Sequence, residues 1–179
     1  FMVFAGFLMV STFDYSVAQI SLLFAINYIF NLLFASKIGF WVGKVGERRA
    51  LTVEYLGLIV VFTSYAFVED ATVAGALYVI DHLFFALAIA IKTYFQKIAD
   101  ERDIAATASV SFTINHIAAV VIPTVLGIIW LTSPTAVFLV GTAFAVCSLL
   151  CSHLIPDQPS QENITRFINT GVTNIEPNS

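Results

Sequence analysis

Asp81 and His116 are the two side chains best suited to proton chemistry here, because each lies near the middle of a long apolar run. Asp81 falls about ten residues into the run that opens at Ala71, and His116 is near the centre of the run from Ile104 to about Leu131. A charged side chain costs on the order of 3 kcal/mol at mid-membrane depth, so it should face a bundle interior or a wet cavity, with a partner. Imidazole titrates near pH 6.5, so a carboxylate and an imidazole sharing such a cavity can exchange a proton. The structural alternative is a hydrogen bond between helices.

Amides and hydroxyls accompany the pair. Asn27 and Asn31 stand one turn apart at mid-depth, with Tyr28 beside them, and Thr107, Ser111 and Asn115 recur every four residues to form a polar stripe on a helix. Asn27, Asn31, Asp81, Asn115 and His116 are therefore the expected wall of a substrate or proton pathway. His82, about 100° round the helix from Asp81, reads as structural. Lys92, eleven residues beyond Asp81, returns to nearly the same helix face about 16 Å lower and can snorkel toward the interface. Glu54, close to Arg48 and Arg49, reads as a snorkelling or ion-paired side chain.

These residues require helices that cross a bilayer. Hydrophobic residues make up 59% of the chain and charged residues 11%, with a mean hydropathy of +0.89, whereas soluble domains are roughly 45–50% apolar and about 25% charged. A span needs about 20 apolar residues. Five runs meet that length: Ser16 to about Ile38, Ala50 to about Val68, Ala71 to about Gln96, Ile104 to about Leu131, and Pro134 to about Leu154. Phe1 to Phe13 is shorter and reads as the outer end of a helix whose beginning is missing. Pro123 and Gly127 are expected to kink the fourth full span.

The eight Lys and Arg residues lie in or beside every second gap between the runs. Lys37, Lys44, Arg48 and Arg49 follow the first full span, Lys92, Lys97 and Arg102 flank the gap after the third, and Arg166 follows the last. The gaps near Asp14, Glu69 to Asp70, and Thr132 to Pro134 carry acids or no charge. The positive-inside rule makes the basic gaps cytoplasmic. Residues 1–155 form one helical membrane bundle, and residues 156–179, rich in Pro, Ser, Gln, Asn and Thr, read as a disordered cytoplasmic tail.

Between the first two full spans the chain reads Gly39-Phe40-Trp41-Val42-Gly43-Lys44-Val45-Gly46-Glu47-Arg48-Arg49. This stretch resembles the signature loop of the major facilitator superfamily, roughly G-x-x-x-D-R-x-G-R-R, as repeated in the second half of those transporters. Gly39, Lys44, Gly46, Arg48 and Arg49 match its glycine and cation positions, while Gly43 takes the place of the acid and Glu47 a place often held by a cation. The resemblance implies an all-α integral membrane protein, the C-terminal half of a twelve-helix carrier, with five full transmembrane helices plus a truncated one. It implies as partners the N-terminal six-helix half, the lipid bilayer, a small-molecule solute and, for a coupled carrier, protons. A plasma (inner) membrane is the expected location.

The expected function is secondary transport of a small solute by alternating access. Proton coupling is the more specific mechanism, and a facilitator needing no protonation change is the alternative; an accessory membrane subunit and a polytopic membrane enzyme are the rivals. No H-E-x-x-H, nucleophile-elbow, Walker-type or paired C-x-x-C pattern occurs, so a non-enzyme without cofactor or metal is expected. No basic face supports nucleic-acid binding.

Overall fold

The computed structural model describes residues 1–157, 159–161 and 163–166, and among these the chain is helical without a strand. Its elements are α1 (Met2–Phe13), α2 (Val17–Val45), α3 (Glu47–Phe67), α4 (Ala71–Phe85), a 3-10 turn (Ala86–Ala88), α5 (Ile89–Ile98), α6 (Glu101–Thr132) and α7 (Pro134–Ser152). Five helical segments are long and apolar enough to cross a membrane: α2, α3, α4 with α5 as one segment, Arg102–Thr132, and α7. The short α1 is apolar as well.

Polar residues at the junctions stop one helix and start the next. Asp14 adopts a left-handed conformation at the end of α1, and Ser16 then caps α2 in a capping box with Gln19. Asp70, Asp100 and Ser133 accept hydrogen bonds from the first-turn amides of Val73, Arg102 and Ala136 respectively, with Pro134 at the first position of α7. Such short junctions leave consecutive helices antiparallel.

The junction after α2 is tighter than the sequence suggested. The helix runs on to Val45, so Gly39, Gly43 and Lys44 are helical, and Gly46 alone makes the turn into α3, which begins at Glu47 and contains Arg48 and Arg49. Gly46 has φ 95° and ψ 148°, a region open essentially to glycine.

The core is built around α3 and α7, the most closely packed pair. Tyr65 stacks on Phe138 with ring centroids 5.0 Å apart, and the hydroxyls of Thr63 and Thr142 meet at 3.3 Å. Gly57 lets the Phe84 ring lie directly on the α3 backbone. α1 packs on α4, and its Phe4 stacks on Trp130 near the end of α6 at 5.6 Å. A second cluster, at the end of the bundle that carries the cations, joins Val42, Ala50, Leu51, Leu87, Ala90 and Ile155.

The segment expected to be a disordered tail makes contacts through its described part. Arg48 donates to Asp157 at 2.8 Å, Tyr94 donates to the Ile164 carbonyl at 2.6 Å, and Gln161 donates to the Ala99 carbonyl at 3.1 Å. Residues 158, 162 and 167–179 of that expectation lie outside the described residues.

Candidate functional site

α2 and α6 stand apart from the core. Only 6% of the most apolar stretch of each is buried, against 50% for α3. α6 is tied down near its end, where Leu126 is buried and Trp130 meets Phe4 and Phe7, while its first two-thirds are largely exposed. The space thus left between α2, the α4–α5 segment and α6 is a cavity of about 1120 Å³.

Polar side chains enter it from all three walls. α2 contributes Asn27 and Asn31, the middle segment contributes His82, Lys92 and Gln96, and α6 contributes Ser111 and Asn115. Apolar rings fill the surface between them, including Phe30, Phe34, Phe85, Phe95 and Phe112. Asn27 is buried, and neither atom of its amide has a hydrogen-bond partner among the described residues. Both amide atoms are enclosed by protein, whereas Asn31 and Asn115, which line the same cavity, are exposed.

His82 Nδ1 sits 3.0 Å from the Tyr78 carbonyl. A carbonyl only accepts, so Nδ1 carries the hydrogen, and in the neutral ring Nε2 keeps a lone pair. The Tyr78 ring packs on the imidazole at 4.6 Å between centroids.

Three of the five pathway residues expected from sequence, Asn27, Asn31 and Asn115, line the cavity together. Asp81 and His116 do not. Asp81 is 2% exposed, with Oδ2 lacking a hydrogen-bond partner among the described residues. His116 is exposed, and its Nδ1 donates to the Phe112 carbonyl at 2.9 Å. No ion pair joins the two among the described residues.

His82 and Lys92 line the wall instead, and Lys92 comes onto the face of His82 for a geometric reason. An ideal α-helix advances about 100° per residue, which puts Lys92 within about 20° of Asp81. The turn at Ala86–Ala88 is 3-10 and advances about 120° per residue, adding roughly 60° over its three residues. Lys92 then falls within about 20° of His82 instead. Ala86 and Ala88 also line the cavity, while Ala90 on the other side is fully buried.

At the end of the bundle that carries the cations, Glu47 is 2% exposed and pairs with the Lys97 ammonium. Arg48, next to it, pairs with Asp157. Glu54 differs from expectation: it is buried rather than snorkelling, and among the described residues it meets no arginine and its Oε2 has no hydrogen-bond partner. Lys44 and Arg49 are exposed.

The fold and the site define a polytopic α-helical protein with five helices suited to membrane crossing and a large polar-spotted cavity between three of them. Compared with known proteins, the chain matches no family model, no curated protein and no solved structure.

Proposed function

We propose that the chain forms one wall of a secondary carrier that moves a small solute by alternating access, as the resemblance to the second half of major facilitator transporters implies. The observation that carries this reading is a cavity of about 1120 Å³ between three segments suited to membrane crossing, into which the exposed amides of Asn31 and Asn115 open from facing walls. Amides within apolar spans are costly unless they meet a polar partner. A three-residue 3-10 stretch within the continuous α4–α5 span at the cavity wall supports the same reading, since such stretches within a helix often mark a functional hinge.

The little-buried faces of α2 and α6 fit a complementary six-helix bundle across the cavity. The cations at one end fit a cytoplasmic placement of that end, in a plasma (inner) membrane. Proton coupling through Asp81 is the finer form of the proposal. A facilitator without protonation change is the second reading, favoured by the absence of Asp81 and His116 from the cavity lining.

Reconstitution of the complete carrier in sealed vesicles separates the two. Under coupling, Asp81→Asn abolishes gradient-driven accumulation and spares downhill exchange. Accumulation that persists in Asp81→Asn removes the proton role and leaves the facilitator.

A further inference from the structure

The cavity wall is electrostatically one-sided. Among its described lining residues Lys92 is the single ammonium, and no Asp or Glu occurs. Four of the other cations are engaged, Lys97 with Glu47, Arg48 and Arg166 with Asp157, and Lys37 over the Phe34 ring, and Lys44, Arg49 and Arg102 lie outside the cavity lining. Lys92 has no such partner among the described residues. It is exposed to the cavity, within a segment suited to crossing a membrane, where a cation with low-dielectric surroundings attracts an anion more strongly than in water.

Gln96, one turn further along the same helix, adds an amide beside it. His82 is ten residues away in the other direction along the segment, about 15 Å. Phe34, Phe85 and Phe112 also line the cavity, with Phe85 between His82 and Lys92 in the chain. A ligand complementary to this wall carries a negative head, an apolar body and a hydrogen-bonding group at its far end.

We infer that the cavity binds an amphipathic organic anion, with its negative head at Lys92, its body along the phenylalanines and its far end at His82. That this anion is cargo rests on the carrier reading; that it binds does not. The same chemistry, an anionic head on an apolar body, also describes an acidic lipid, and the inference commits to a soluble anion.

The test is binding of three probes with one apolar body, 4-phenylbutyrate, 4-phenylbutanamide and 4-phenylbutylamine, to the full chain in phosphatidylcholine nanodiscs, corrected for empty discs. The acid should bind at least about tenfold more tightly than the amide or amine, the scale of one charge-assisted contact. Lys92→Gln should bring the three within about twofold, while Lys92→Arg keeps most of the preference. Lys92 is exposed, so both variants should keep the parental unfolding midpoint, which is measured alongside.

Equal binding of the three probes, or a preference that survives Lys92→Gln, overturns the inference. Loss of phenylbutyrate binding when about one lipid in five is phosphatidylglycerol assigns Lys92 to a lipid headgroup and also overturns it. A charge preference that holds while vesicles show no solute flux removes the carrier reading alone. Flux of neutral solutes with no preference for the anion removes this inference alone.

Discussion

Arg48 Nη1 lies 2.8 Å from Asp157 Oδ1, so the first turn of α3 is bonded to the segment that follows the last helix. Its neighbour Glu47 reaches in another direction, to Lys97 of α5. Two adjacent residues at the Gly46 turn therefore join three parts of the chain at one end of the bundle.

The two ion pairs should differ in energetic weight. Asp157 is 70% exposed at its side chain, and exposed pairs contribute about 0–1 kcal/mol, so Asp157→Ala should lower stability by less than about 1 kcal/mol. The Glu47 side chain is 1% exposed and that of Lys97 46%. Lys97→Ala leaves a buried carboxylate without its cation, costing about 3 kcal/mol, whereas Glu47→Gln leaves a lysine that water can reach, costing about 1–2 kcal/mol. Unfolding of the three variants in detergent should follow that order, and equal losses for Lys97→Ala and Glu47→Gln would show that Glu47 is hydrated.

The glycines of the signature stretch should respond oppositely to alanine. Gly46 has φ 95°, so Gly46→Ala should cost about 1–3 kcal/mol in backbone strain. Gly39 and Gly43 lie within α2 with open space around them, and alanine there should be neutral or stabilise by up to about 1 kcal/mol. Thermal unfolding of the three single variants checks the contrast.

Gly57 is a contact glycine. A Cβ at this position would overlap the Phe84 ring, so Gly57→Val should destabilise by about 1–3 kcal/mol. Phe84→Leu in the same chain should recover part of the loss, giving a coupling of about 0.5 kcal/mol or more in a double-mutant cycle. Strict additivity would mean that the two residues do not press on each other.

The five spans were legible because an unbroken apolar run as long as a bilayer is thick rarely occurs outside a membrane, and the helices agree with the runs to within a few residues except at Val45. There the helix continues through Gly39 and Gly43, whose presence suggested a turn; helix-breaking propensity of about 1 kcal/mol per glycine is weak against continued packing of Val42 in the core. Asn27, Asn31 and Asn115 were legible as cavity residues because amides are rare in apolar runs and spaced here by helical turns. Lys92 was missed because helical phase was carried unbroken through Ala86–Ala88, where no Pro or Gly signals the 3-10 turn, and His82 because depth in the run does not choose between the faces of two adjacent residues. The Glu47–Lys97 pair joins residues about fifty positions apart in sequence, beyond the reach of any local pattern. Asp81 is buried, but the depth of a residue in an apolar run says nothing about which face of its helix meets the cavity.

The most direct test of the proposed carrier function is the accessibility of position 31, an exposed cavity residue, from each side of the membrane. In a background with Cys147 and Cys151 replaced, Asn31→Cys in the carrier as proposed should react with a membrane-impermeant thiol reagent from one side without solute and shift toward the other side when solute is supplied. Reaction from a single side under every condition, or from neither, would contradict alternating access around this cavity.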